Sequence, residues 1–169
     1  MANTYTLISS VTVGAGGAST IDFSSIPSTY TDLKLVLSAR NGDTGGGAAT
    51  VKFNADGTTT NYNYKRLVGT GSTTLSSGAN ALFWLYTDSQ DWTANTFGSG
   101  EMYVPNYAGS TQKSVSIDSI NENNATTVAT SFWAGLWSGT AAINQITLTS
   151  TVGNFLQYTT AYLYGIKNS

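Results

Sequence analysis

Residues 32–40 read DLKLVLSAR, a stretch in which apolar side chains alternate with others. One face carries Leu33, Leu35, Leu37 and Ala39, and the other carries Lys34, Val36, Ser38 and Arg40. A period of two is typical of a β-strand with one face in the core, because successive side chains of an extended chain point to opposite sides. The stretch therefore predicts a half-buried strand.

Similar patterns recur along the chain, separated by clusters of Gly, Asn, Ser and Thr. These segments lie at residues 5–13, 19–23, 50–54, 62–68, 80–86, 100–104, 113–120, 126–137, 145–149 and 159–166. Short strands joined by turn residues are typical of sandwiches and barrels, and this composition does not sustain long helices. We therefore expect an all-β fold, an antiparallel β-sandwich of about ten short strands, with residues 1–169 forming a single domain.

Composition excludes several classes of function. The 169-residue chain is only 9% charged, against about 25% in an ordinary soluble domain. The absence of histidine and cysteine excludes Ser-His-acid triads, cysteine nucleophiles, thiolate or imidazole zinc sites and disulfides. A net charge of −2 offers no basic field for nucleic acid or an anionic membrane. We expect neither partner, and no cofactor.

Three connecting segments contain the strongest turn signals. Residues 41–47, NGDTGGG, predict a flexible hairpin loop, because they lack the Lys-Ser/Thr pair of a phosphate-binding loop. Asp56-Gly57 indicates a turn and not the start of a calcium loop, since the later acidic ligand is missing. Residues 26–32, IPSTYTD, predict a single helical turn with Pro27 at its first position.

Few side chains are candidates for catalysis. Asp88 and Asp91 lie three residues apart beside Trp92, loosely like the paired carboxylates and aromatic platforms of glycosidases. Spacing along the chain does not show that the two carboxyl groups share a cleft, and aspartates in such loops commonly accept backbone hydrogen bonds. Lys65 and Arg66 are expected on opposite faces of one strand. We therefore predict no enzyme activity, no catalytic residues and no metal site.

Aromatic side chains are the more informative group. Residues 83–86, FWLY, and 132–137, FWAGLW, place rings on both faces of their strands. This occurs when a strand is buried on both sides or when one face meets another protein, and both interpretations stay open. Rings in polar surroundings suit protein contacts, stacking on sugars or loop anchoring. The candidate interface residues are Tyr62, Tyr64, Lys65, Trp92, Phe97, Tyr107, Trp133 and Trp137.

A family resemblance is carried by three stretches, with support from two shorter ones. The three are residues 5–13 (YTLISSVTV), 21–33 (IDFSSIPSTYTDL) and 162–167 (YLYGIK), and the shorter ones are 61–64 (NYNY) and 146–148 (ITL). In combination they resemble a family of tailed-bacteriophage virion structural proteins, which includes capsid decoration and tail fibre proteins. The resemblance implies a jelly-roll-like β-sandwich in a virion, with no catalytic residues to carry over.

The function that this resemblance implies is capsid decoration. A decoration, or cement, protein binds the outer surface of the assembled shell and stabilises that state by mass action. The expected partners are the major capsid protein and further copies of this chain, as a homotrimer that matches local three-fold junctions. The alternative is a tail-fibre or receptor-binding module that recognises a host surface glycan.

The expected location is the outer capsid surface of the virion. Residues 1–7, MANTYTL, show neither the basic nor the apolar region of a secretion signal, so we expect synthesis in the cytoplasm of the host bacterium. The number of copies per virion distinguishes the two functions. Decoration of the shell requires on the order of hundreds of copies, because their number follows the number of shell subunits, whereas a tail structure contains few copies.

Overall fold

The computed structural model describes residues 4–126 and 128–167, and its regular structure is β-strand. The strands are β1 (Tyr5–Thr12), β2 (Thr20–Phe23), β3 (Asp32–Asn41), β4 (Gly47–Phe53), β5 (Tyr62–Gly69), β6 (Thr74–Ala79), β7 (Phe83–Ser89), β8 (Gly98–Val104), β9 (Lys113–Glu122), β10 (Val128–Trp137), β11 (Ile146–Ser150) and β12 (Thr160–Ile166). Within the described ranges, the one helical element is a 3₁₀ turn at Thr59–Asn61. The prediction of an all-β fold is confirmed.

The strands form two sheets that share one junction. Eight strands pair antiparallel in the order β1-β12-β3-β8-β9-β10-β5-β6. Four strands pair antiparallel in the order β2-β11-β4-β7. At one end β3 and β7 pair in parallel, with Arg40 opposite Asp88 and Asn41 opposite Ser89, which links both sheets into one mixed network. The expected antiparallel pairing is therefore corrected at this junction.

The apolar face of β3 lies in the core between the sheets. Its four side chains predicted to point inward are fully buried, namely Leu33, Leu35, Leu37 and Ala39. Lys34, on the other face, is half-buried and pairs with Glu101 of β8 at 2.6 Å. Each buried leucine stabilises the fold by about 1.5–3 kcal/mol relative to an exposed one.

A cluster of rings fills the part of the core nearest β5 and β10. Phe53, Tyr62, Phe83 and Trp137 have neighbouring ring centroids between 5.3 and 6.4 Å apart. A Cβ atom on Gly135 would lie 2.6 Å from the Phe83 ring, so glycine is what allows β10 to approach β7 this closely. The aromatic residues on the inner faces of these strands are therefore core residues.

The structure also corrects several local expectations. Residues 41–47 do not form a hairpin loop, because β3 and β4 pair with other strands and the segment crosses from one sheet to the other. Residues 26–32 form a turn without a helix. The strand predicted at 80–86 runs instead from Phe83 to Ser89, and of the strand predicted at 126–137, residue 127 lies outside the described residues.

Strand β6 has no counterpart among the predicted strands. It reads TLSSGA, and every one of its residues is exposed. It pairs with β5 and extends the larger sheet past the edge of the core. Because neither face of β6 is covered, the fold requires no apolar side chains there. Without alternation, the sequence carries no strand signal there.

Candidate functional site

Four of the eight candidate interface residues are buried within the chain. They are Tyr62, Tyr107, Trp133 and Trp137. This corrects their assignment as surface contacts, because side chains closed into the core of one chain are not available to a partner. Of the others, Lys65 is exposed, and three are half-buried, namely Tyr64, Trp92 and Phe97.

Two of the buried rings hold the turn that follows β4. The Trp137 Nε1–H donates to Asp56 Oδ2 at 2.9 Å. The Tyr62 hydroxyl donates to the Asp56 carbonyl and accepts from the Phe53 backbone N–H, both at 3.0 Å. Hydrogen bonds from the Asn61 and Trp137 side chains lower the pKa of the Asp56 carboxyl to about 2. The oxygens of Asp56 are thus occupied by donors of the protein itself.

The two aspartates considered for catalysis lie in different environments. Asp88 is fully buried, its Oδ1 accepts the Glu122 backbone N–H at 3.1 Å, and burial raises the pKa of its carboxyl. Asp91 is exposed, and its Oδ1 accepts the Gly45 backbone N–H at 3.1 Å. Each of the two carboxylates thus holds a neighbouring backbone segment in place. In the part of the chain that the structure describes, no three His, Cys, Asp or Glu side chains are grouped to hold a metal ion.

Arg40 organises the loop that carries Trp92. Its guanidinium is buried and donates to four backbone carbonyls, those of Gln90 at 3.0 Å, Trp92 at 2.7 Å, Thr93 at 2.5 Å and Thr96 at 3.3 Å. Hydrogen bonds from a charged donor are stronger than neutral ones, so one cation fixes the course of residues 90–96. The alternation in β3 places Arg40 on the face opposite the core leucines, but it does not predict that the loop of residues 90–96 covers this side chain.

The glycine-rich segment packs against the same loop. The Gly46 backbone N–H donates to Ser89 Oγ at 2.7 Å, and the Cβ position of Gly46 lies 3.8 Å from the Trp92 ring. Gly45 and Gly46 have φ angles of +81° and +124°, which side chains other than glycine rarely adopt. Residues 43–47 therefore have a defined backbone conformation and form a wall beside the Trp92 ring.

These two loops close one end of a cleft, here named the Trp92 cleft. It has a volume of about 510 Å³ and lies between the outward side of β4 and β7 and the ends of β5 and β10. Its walls include Asp43, Val68, Trp84, Tyr86, Trp92 and Asn121. Phe97 lines a different depression of about 270 Å³ with Arg40 and Tyr158, so the structure does not bring Trp92 and Phe97 into one site.

Arg66 lies among aromatic rings next to the Trp92 cleft. Its guanidinium is 5.1 Å from the ring centroid of Trp133 and 6.0 Å from that of Trp84. Tyr64 also packs against Trp133, with ring centroids 4.4 Å apart. Tyr64 and Arg66 thus share the inner face of β5, whereas Lys65 lies on the outer face.

The outer face of the neighbouring strands is unusually apolar. The β9–β10–β5 face consists of the outward side chains of these three strands, and its exposed large residues are Phe132 (58%), Leu67 (52%), Ile120 (47%) and Leu136 (41%). In register, Phe132 lies between Leu67 of β5 and Asp118 of β9. A depression of about 450 Å³ opens beside Phe132, with Lys65 and Asp118 at its margin.

Comparison of the chain with protein-family models, with curated proteins and with solved structures finds no match in any of the three. No helix among the described residues is long and apolar enough to cross a bilayer. Two surfaces formed by the described residues are therefore considered for function on their geometry: the Trp92 cleft and the β9–β10–β5 face.

Proposed function

We propose that this chain is a capsid decoration protein of a tailed bacteriophage, which binds the outer surface of the assembled shell and stabilises it. The observation that carries the proposal is the β9–β10–β5 face, where large apolar side chains stand together at the surface. Contiguous exposed apolar patches mark interaction sites, and a chain that is 9% charged has few solvated side chains to cover one. Such a face suits a subunit of an assembly.

The strand order supports the jelly-roll architecture that the sequence resemblance implies. One set of four neighbours is β1-β12-β3-β8, and the second sheet is β2-β11-β4-β7, so early and late strands of the chain alternate in both. Eight strands in two such sheets are the framework of a jelly roll. We infer that the hairpins β5–β6 and β9–β10 are insertions that prolong one of its sheets, and they carry most of the apolar face.

In the proposed assembly, a neighbouring copy of this chain covers the β9–β10–β5 face. The depression beside Phe132 is large enough to receive an apolar side chain from that neighbour. In a closed ring with cyclic symmetry, the β9–β10–β5 face of every copy is covered by its neighbour. A ring of three copies also matches the three-fold junctions of an icosahedral shell. Three linked copies also bind the major capsid protein more tightly than one copy, because later contacts are intramolecular.

Stabilisation of the shell follows from mass action. A trimer that binds only the assembled, mature shell lowers the free energy of that state. It leaves the free energy of open shells and dissociated subunits unchanged. The required activity is binding, which needs none of the catalytic groups that the chain lacks.

Purified virions of the phage that encodes this chain test the proposal directly. Quantitative gel analysis is expected to give hundreds of copies per particle, about one for every few shell subunits. Particles that lack the protein are expected to release DNA at lower temperature. A few copies per virion, with lost adsorption and unchanged heat resistance, would instead support the tail-fibre, glycan-binding alternative.

The sheet offers a matched pair of variants for the role of the apolar face. Leu67 and Leu75 are 52% and 58% exposed on paired strands, but Leu67 lies opposite Ser76 and Leu75 opposite Val68, so the two leucines project from opposite faces. Leu67→Ser is expected to weaken self-association about tenfold in analytical ultracentrifugation, whereas Leu75→Ser leaves it unchanged. Equal effects of the two variants would contradict the proposed contact.

A further inference from the structure

The Trp92 cleft has the size and shape of a small-molecule site. Its volume of about 510 Å³ falls within the range of ligand pockets, roughly 300–1,000 Å³. Its walls come from the smaller sheet and from the inserted hairpins, so it exists only because the larger sheet extends past β7. This site is distinct from the β9–β10–β5 face and does not depend on attachment to a capsid.

Aromatic rings form much of the cleft. Trp84 and Tyr86 are two residues apart on β7 and project from the same side of the smaller sheet. Trp92 lines the same cleft from the loop of residues 90–96. Rings that are partly exposed in a concave site, with faces of low polarity, offer stacking platforms for the C–H faces of a sugar ring.

Asn121 places a buried amide group at one wall of the cleft. Asn121 is 6% exposed and lines the cleft, and among the described residues no donor reaches its Oδ1. That oxygen has almost no accessible surface, so a ligand in the cleft does not reach it, and the acceptor that a ligand meets is the half-buried Asp43 carboxylate.

The charge of the cleft restricts the class of ligand. Asp43 contributes a carboxylate, of which Oδ1 accepts the Thr44 backbone N–H at 2.7 Å, and carboxylates accept several hydrogen bonds. No lysine or arginine is among the described residues that line the cleft. Arg66 is not a lining residue, although its guanidinium lies 6.0 Å from the Trp84 ring and its Nη1 3.5 Å from the Tyr86 hydroxyl. A carboxylate acceptor, with no lysine or arginine among the lining residues, favours a neutral, hydroxyl-rich ligand over a phosphate or a carboxylate.

The cleft is also held in shape before any ligand arrives. Arg40 fixes the backbone on both sides of Trp92, and Ser89 and Asp91 bind the backbone N–H groups of Gly46 and Gly45. A preorganised site loses little conformational entropy on binding.

We propose that the Trp92 cleft binds a neutral saccharide, which stacks on Trp92 and the β7 rings and donates hydroxyl hydrogen bonds to Asp43. The proposal goes beyond capsid decoration, because a decoration protein and a tail protein are both able to carry such a site. Copy number and heat resistance of the virion therefore do not test it.

The test uses the full chain with four neutral trisaccharides, made of α-glucose, β-glucose, N-acetylglucosamine or mannose, and with sialyllactose as the anionic comparator. Saturation-transfer NMR and calorimetry are expected to detect at least one neutral trisaccharide with a Kd of about 1 mM or tighter. Trp92→Ala is expected to weaken that binding at least about tenfold. Phe97→Ala is the control, because Phe97 belongs to the same loop but lines another depression, and it is expected to leave affinity within about twofold.

Three results would overturn the proposal. They are no binding of any neutral trisaccharide at about 10 mM, stronger binding of sialyllactose than of every neutral ligand, and equal losses from Trp92→Ala and Phe97→Ala. If Trp92→Ala lowers the melting temperature, Asp43→Asn is used as the test variant instead. Its amide oxygen can still accept the hydrogen bond from the Thr44 backbone N–H. That variant must then lose affinity without loss of thermal stability for the proposal to stand.

Discussion

Replacing Tyr62 with phenylalanine removes a single oxygen atom from the core and preserves the ring packing. That oxygen joins two parts of the chain, because it accepts the Phe53 N–H at the end of β4 and donates to the Asp56 carbonyl in the following turn. Burial raises the pKa of the Tyr62 hydroxyl to about 12, so it stays protonated and able to donate throughout the ordinary pH range. The variant therefore isolates the contribution of these two hydrogen bonds.

The two bonds are not equivalent. Phe53 is fully buried, so its N–H is left without a partner in Tyr62→Phe, and an unsatisfied buried donor costs about 1–3 kcal/mol. Asp56 is partly exposed, so water replaces the lost donor to its carbonyl and the cost there is small. We expect the free energy of unfolding to fall by about 2 kcal/mol.

Urea denaturation followed by fluorescence measures this loss. With an m-value of about 2 kcal/mol/M, the midpoint is expected to fall by about 1 M urea. Tyr64→Phe is the matched control, because Tyr64 lies two residues away on the same face, is half-buried against Trp133, and makes no hydrogen bond through its hydroxyl within the described part of the chain. The control should lose less than about 0.5 kcal/mol. Equal losses in the two variants would refute the argument.

Two further predictions concern charged groups. The folded pKa of Asp56, about 2, lies below its ordinary value of 3.8, so its contribution to stability is complete above the ordinary value and is lost as pH falls toward 2. Asp56→Asn should therefore destabilise the protein by about 1 kcal/mol at neutral pH, and urea titrations near pH 2 should show the difference vanish. Arg40→Met keeps much of the side-chain volume but removes the donors to residues 90–96, and is expected to cost about 2 kcal/mol. It should also make that loop the first site of limited proteolysis, and an unchanged cleavage pattern would argue against the role of Arg40.

The strands were predictable where one face is covered and the other is not. In β3 the core selects apolar residues at every second position, and this alternation can be read from the sequence of the strand itself. Strand β6 shows the converse, because both of its faces are exposed and no alternation arises. Sequence patterning thus reports burial more directly than it reports strand formation.

The candidate site was less predictable, because its parts are distant along the chain. Arg40 binds carbonyls about fifty residues away, and nothing in DLKLVLSAR indicates that its last side chain is enclosed by another loop. The rings of β10 show a second limit. Their alternation implies two aromatic faces, but only the structure shows that Trp133 and Trp137 are covered whereas Phe132 is exposed.

Strand β5 contributes to both surfaces proposed for function, and its pleat keeps them separate. Lys65 and Leu67 project to the β9–β10–β5 face, whereas Val68 is buried from the other side and lines the Trp92 cleft. Because neighbouring residues of a strand point to opposite faces, a change at Leu67 removes apolar surface from the proposed subunit contact without touching the cleft. A change at Trp92 does the reverse. Loss of trimer with intact saccharide binding in Leu67→Ser, and the opposite in Trp92→Ala, would show that the inserted hairpins serve two independent contacts.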